Sequence, residues 1–127
     1  MVVEINKAII RRYFEQVWNK GDMEAAGEVL APNFSSCGGA ISGLEAAKLY
    51  ISSYREAYPL TRFTILSMLT EDDLVTVCWV CAGAHGGSAK ATGLSVYRLA
   101  HGKIVEAWAT SDVLGPMQRL GITRTGK

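Results

Sequence analysis

The apolar residues of this 127-residue chain change their period near Tyr58–Pro59. Before that point they recur at helical spacing. After it they come in the short runs and alternations of strands. From Ile5 to Trp18 a wide stripe carries Ile5, Ile9, Tyr13 and Val17, with Ile10, Phe14 and Trp18 alongside. Gly21 is placed to end that helix in a left-handed conformation. Asp22 can cap a second, short helix that Pro32 stops. "SGLE", Ser42 to Glu45, has the form of a capping box. It predicts a helix to about Tyr58, with Leu44, Ala47, Ile51, Tyr54 and Tyr58 on one side.

The second half predicts strands over Phe63–Leu69, Leu74–His85, Thr92–Leu99 and Lys103–Asp112. Glu71-Asp72-Asp73 turns the first pair, and His101-Gly102 is a tight hairpin turn. Helices followed by hairpin-linked strands imply an α+β domain, with helices on one face of an antiparallel sheet. The length predicts one domain over 1–127.

Charge excludes some partners. Thirteen Lys and Arg are scattered against twelve Asp and Glu. That balance leaves no electrostatic footprint for nucleic acid or an anionic membrane. No run reaches the ~18 apolar residues of a membrane span. Three cysteines and an N-terminus without a secretory pattern point to the cytoplasm.

"CWVC", Cys78 to Cys81, has the spacing of a redox pair or half a zinc site. In a strand, however, residues three apart point to opposite faces. No metal site is expected. His101 belongs to a turn. His85 ends an apolar strand before Gly86-Gly87 and is a loop residue, a core histidine or a pocket-rim group. Of the aspartates, Asp22 reads as a helix cap, and Asp72 and Asp73 as a solvated turn. Asp112 closes "IVEAWATSD" and either caps the turn at Val113–Gly115 or lies in the interior. Strict alternation sets it on one face with Ile104, Glu106, Trp108 and Thr110. The small residues Ala107, Ala109 and Ser111 on the other face suit tight packing or a subunit contact. A carboxyl walled off by the Trp108 indole would have a raised pKa and be usable as an acid or base. The aromatic and Met residues, Phe14, Phe34, Tyr54, Trp79, Tyr97 and Met117 among them, are core by default, and some could line an apolar cavity.

Four stretches together resemble the SnoaL-like polyketide cyclases of the nuclear-transport-factor-2-like superfamily. They are "YFEQVWNKGDMEAAGEVLAPNF" (13–34), "GLEAAKLYISSYREAYP" (43–59), "EDDLVTVCWVCAGAHGG" (71–87) and "HGKIVEAWATSDVLGPMQRLG" (101–121). The resemblance implies a cone: a strongly curved antiparallel sheet wrapped around the N-terminal helices, enclosing a hydrophobic cavity. It implies a homodimer through the sheet, a small apolar molecule in the cavity and no cofactor. It also implies ring closure by intramolecular aldol condensation, with Asp112 as acid/base and His85 at the pocket. Trp108, Trp79, Phe34, Phe14, Tyr54, Cys37 and Met117 would line the site. Cys37 stands where the family often has a histidine, and the segment between His85 and Thr92 is shorter than in many members. A ketosteroid-isomerase-like proton transfer is the neighbouring chemistry, with Glu106, or Tyr97 and His85, in place of a second acid. A non-catalytic binding domain is the other reading.

Overall fold

The computed structural model describes residues 2–36, 39–83 and 90–111. Helix α1 (Val2–Arg12) runs directly into a π-helical segment (Tyr13–Asn19), because Arg12 itself has helical angles. Ile10, Tyr13, Phe14 and Val17 are buried, as their spacing predicts. Ile5, expected on the same stripe, is 57% exposed. The buried face of α1 is set by Asn6 and Ile10, and Ile5 lies about 100° round the helix from Asn6. Gly21 then stops the helix at φ +73, and its amide donates to the Val17 carbonyl at 3.0 Å. The Asp22 carboxylate accepts from the amides of Glu24 and Ala25 at 3.0 and 3.1 Å. It thereby caps α2 (Met23–Val29), as expected.

Strands β1 (Leu30–Ser36) and β2 (Ile41–Ser42) pair antiparallel, Ser42 opposite Ser35. That pairing corrects the capping box. Ser42 is held in a strand, and the N-cap is Gly43, at φ +93, with no side-chain cap. The Gly43 amide donates to the Phe34 carbonyl at 2.6 Å. Helix α3 (Leu44–Ala57) buries Ala47 and Ile51, and Pro59 follows its end.

Strands β3 (Arg62–Glu71), β4 (Leu74–Ala82), β5 (Lys90–Ala100) and β6 (Lys103–Ser111) form a meander. The sheet order is β2-β1-β6-β5-β4-β3. Every neighbouring pair is antiparallel except β1 and β6, which run parallel. The fold is α+β as expected, and the wholly antiparallel sheet is corrected at that one pair. His101 and Gly102 have φ of 54° and 78°, the two left-handed residues a tight hairpin needs.

Strand β4 shows the two faces. Val75, Val77, Trp79 and Cys81 are buried, while Leu74, Thr76, Cys78 and Val80 are partly exposed. The π-helix packs on β3, α2 on β6 and α3 on β1, so the helices cover one face of the sheet. Cys78 and Cys81 lie on opposite faces as free thiols, as alternation predicts. No helix among the described residues is long and apolar enough to cross a membrane.

On β6, strict alternation fails. Ile104 pairs with Leu99, but Glu106 pairs with Arg98, so Val105 is an extra residue in a bulge. Ile104 is buried, and beyond the bulge the faces exchange. Ala107 turns inward opposite Tyr97, while Glu106 and Trp108 turn outward opposite Arg98 and Val96.

Candidate functional site

The inner face is closed at one end and open at the other. At the closed end Tyr13, Phe14, Val75, Tyr97, Leu99 and Ile104 pack with Ile10. Tyr13 and Tyr97 meet edge-on at 5.7 Å between ring centres. Burial pushes the Tyr13 phenol up to about 12. Burial also raises Tyr97, and the neighbouring Tyr13 adds to the rise. Both are neutral hydroxyls at ordinary pH.

The other end is built on Trp79. Its indole lies over Gly93 on β5, where a Cβ would come within 2.1 Å of the ring. An isolated glycine in a strand marks such a close approach. Trp79 Nε1 donates to Ser95 Oγ at 2.7 Å, a buried bond that fixes the ring. Gly93 pairs on its other side with Ser111. Trp79 meets Phe63 at 5.2 Å, Phe63 meets Trp18 at 5.3 Å, and Trp18 meets Tyr54 at 5.5 Å. An edge-to-face aromatic wall therefore runs from β4 to α3. Ala109, opposite buried Ser95, is exposed, so the face opens there.

The structure brings several sequence candidates together. Trp79 and Tyr54 belong to the wall. Phe14 touches Phe63 at 6.1 Å, and Phe34 is buried on β1 in the same core. Trp108 is placed differently: it stands on the outer face, 40% exposed, because of the β6 bulge. Glu106 is also outward, bound by Arg98 Nε at 3.0 Å, and Arg98 in turn holds Asp73 at 3.1 Å. That pairing removes Glu106 as an interior second acid. Tyr97 lies in the closed end rather than at the opening. Ser95, Gly93, Trp18 and Phe63 complete the wall. Trp18 reads from residue type as core or cavity lining, and Gly93, between Thr92 and Leu94 in a strand pattern, carries a signal of close approach.

Asp112, His85, Cys37 and Met117 lie outside the described residues. The strands that lead toward Cys37, His85 and Asp112 run in the same direction, with Ser36 level with Ala107. β1 ends at Ser36 and runs parallel to β6, which ends at Ser111. Trp79, Gly93 and Ser111 are in register across β4, β5 and β6, and Ala82 at the end of β4 pairs with Lys90 at the start of β5. No ionised side chain is buried in the core described; its buried polar residues are Asn6, Thr61 and Ser95. Among the described residues no group of His, Cys, Asp and Glu could hold a metal ion. What remains is an aromatic-walled surface whose one buried side-chain hydrogen bond among the described residues is that of Trp79 to Ser95.

The profile of the SnoaL-like polyketide cyclase family matches residues 8–120. No curated protein is significantly similar in sequence. Solved structures share the fold. A candidate SnoaL-like polyketide cyclase from Jannaschia sp. CCS1 is 20% identical, with TM-score 0.81, over 95% of this chain and 94% of that one. Wild-type IdmH from Streptomyces antibioticus, a candidate polyketide cyclase, is 25% identical, with TM-score 0.75, over 91% and 98%. A SnoaL-like polyketide cyclase from Agrobacterium tumefaciens C58 is 16% identical, with TM-score 0.81, over 91% and 98%. With the family profile covering most of its length, the chain belongs to the SnoaL-like polyketide cyclase family.

Proposed function

We propose that this protein is a cofactor-independent acid/base enzyme that closes a ring in a small apolar carbonyl compound by intramolecular aldol condensation. One observation supports the reading: β4 and β6, the strands that lead toward His85 and Asp112, run the same way beside the aromatic wall, with Trp79, Gly93 and Ser111 in register. Asp112 follows Ser111 directly, in a neighbourhood whose described core holds no buried charge. In this reading the Asp112 carboxylate is shielded from water when substrate is bound, which makes it a stronger base. It takes a proton from a C–H flanked by carbonyls. The enolate carbon then bonds to a second carbonyl carbon, whose oxygen takes a proton as the ring closes. His85 donates a hydrogen bond to the developing oxyanion. Trp79, Phe34, Phe14 and Tyr54 hold the substrate, and Cys37 and Met117 border it. The chemistry calls for no metal or organic cofactor.

The outer face supports a homodimer through the sheet. Leu69 on β3, Leu94 on β5 and Trp108 on β6 are exposed there, more apolar surface than a lone sheet face needs. A cytoplasmic location fits the three cysteines.

The test is turnover of a linear aromatic β-polyketone by the wild type, Asp112→Asn and His85→Gln. Asp112→Asn is expected to lose at least ~100-fold in kcat with binding retained, and His85→Gln a smaller factor. Binding unchanged by Asp112→Asn, with no turnover by the wild type of this substrate or of a β,γ-unsaturated ketone, identifies a binding domain instead. Isomerisation of the unsaturated ketone alone identifies a proton-transfer enzyme.

A further inference from the structure

The inner face carries hydroxyls that the core does not use. Ser36 on β1 lies opposite Ala107 on β6, and Ser95 on β5 lies opposite Ala109. By alternation Ser36 points inward with buried Phe34, and Ser95 with buried Tyr97. The two alanines thus form a narrow strip with a hydroxyl on each flank. Ala107 is buried and Ala109 is exposed, so the strip is reached from the Ala109 end. Ser36 Oγ is buried without a hydrogen-bond partner. A buried hydroxyl left in that state costs free energy, which a partner recovers.

Ser95 is 2% exposed, and its row also has a hydrogen to spare. Its oxygen accepts from Trp79 Nε1 at 2.7 Å. Burial and the neighbouring Tyr13 raise the Tyr97 phenol, and the adjacent Ser95 hydroxyl opposes the rise. Trp79, Ser95 and Tyr97 therefore bring three polar hydrogens to a row of two oxygens. The row has two contacts, and each can use one hydrogen. At least one hydroxyl hydrogen is left over, and no other described residue accepts it. By donating to Ser95, the Trp79 N–H makes that hydroxyl the better donor. Strand spacing sets the distance between the flanks. β1 and β5 lie on either side of β6, so Ser36 and Ser95 stand roughly 10 Å apart across the sheet. They are also one inward position apart along β6, roughly 7 Å. Two oxygens at diagonal corners of a fused bicyclic ring, each with its hydrogen bond, span that offset.

We infer that the Ala107–Ala109 strip seats a flat bicyclic compound with oxygens on two opposite edges, a carbonyl oxygen taking the Ser95 hydrogen and a second oxygen meeting Ser36. The inference rests on reading this face as the substrate site, and it makes Ser36 and Ser95 the residues that select substrates by the position of their oxygens.

The test is calorimetric titration of the whole protein with tetralin, α-tetralone and 5-hydroxy-α-tetralone, with the infrared carbonyl stretch of each bound ketone. The tetralone is expected to bind about fivefold tighter than tetralin, and the hydroxytetralone about fivefold tighter again. The bound carbonyl stretch lies below its value in hexane, as a hydrogen-bonded carbonyl does. Ser95→Ala moves the stretch back and removes the advantage of the tetralone over tetralin. Ser36→Ala removes only the gain from the added hydroxyl. Thr61 Oγ1, beside the edge strand β3, is the other buried hydroxyl without a partner among the described residues, and Thr61→Val changes neither gain. Circular dichroism checks that each variant is folded, and the wild-type stretch and the tetralin comparison stand without any variant. Equal binding of tetralone and tetralin overturns the inference, as does a stretch that Ser95→Ala leaves in place. A Ser36→Ala variant that weakens all three compounds alike overturns it too. Turnover of the polyketone with an unshifted tetralone stretch strikes this inference and leaves the enzyme reading standing. A shifted stretch without turnover does the reverse.

Discussion

The two ends of the sheet's inner face use similar residues for different purposes. At the closed end, Ile10, Val75, Leu99 and Ile104 fill space between helix and sheet, and the tyrosines Tyr13 and Tyr97 are buried whole. At the open end the large residue, Trp79, needs a glycine beneath it and a serine to take its N–H. The closed end gains stability from shape and burial. The open end has its ring orientation set by one hydrogen bond and one missing Cβ, with Ala109 exposed beside it. The contrast teaches where a pocket can be placed without dismantling the core.

The largest test strikes the closed end. Ile104→Ala removes a side chain with no exposure, and should cost ~3–4 kcal/mol in urea unfolding. A loss below ~1 kcal/mol would mean that this end is not close-packed.

The pH dependence comes next. Tyr13 is held up to about 12 against an ordinary 10.0. Below pH 10 both the folded and the unfolded chain keep this proton, so its contribution is fully present. Above pH 10 the unfolded chain gives it up first, and stability falls as pH rises toward 12. The loss approaches ~3 kcal/mol. Tyr13→Phe should flatten that part of the curve, and an equal slope in the variant would assign it elsewhere.

Gly93→Ala attacks the open end. The new methyl collides with the Trp79 ring, so the indole must leave its place on Ser95. Stability should fall by ~2 kcal/mol, and binding of an apolar ketone should weaken while the closed end keeps its near-ultraviolet tyrosine signal. Unchanged binding would remove Trp79 from the site.

The smallest effect belongs to the outer face. Arg98 bridges Asp73 and Glu106, with all three side chains partly in solvent. Arg98→Ala should change stability by under ~1 kcal/mol. A larger loss that depends on protein concentration would point to a dimer covering this face.

How much of this was legible beforehand varies with the range of the interaction. Local signals were reliable: Asp22 as a cap, Gly21 as a stop, His101-Gly102 as a turn, and the opposed faces of Cys78 and Cys81 all depend on a few neighbouring residues. The capping box at Ser42 failed because Ser35, seven positions earlier, claims that residue for a strand. Trp108 changed faces because the Val105 bulge is a property of the β5–β6 pairing, which no period along one strand records. Trp79 and Tyr54 were recognisable as pocket candidates from residue type, but the Phe63 and Trp18 rings between them are brought there by chain packing.

By itself the sequence determined the class and most elements: helices before Tyr58, the meander strands after Pro59, and a set of motifs sufficient to indicate the family, but not the π segment or strands β1 and β2. Tertiary structure decided that β1 lies parallel to β6, that Trp79, Gly93 and Ser111 fall in register, and that Trp79 faces inward while Trp108 faces out. The physical reason is the range of the forces. Caps, turns and periodicity are set by backbone groups within about one turn of each residue. Strand order, register and bulges are set by contacts between residues far apart in the chain, which exist only once the sheet has closed around its helices.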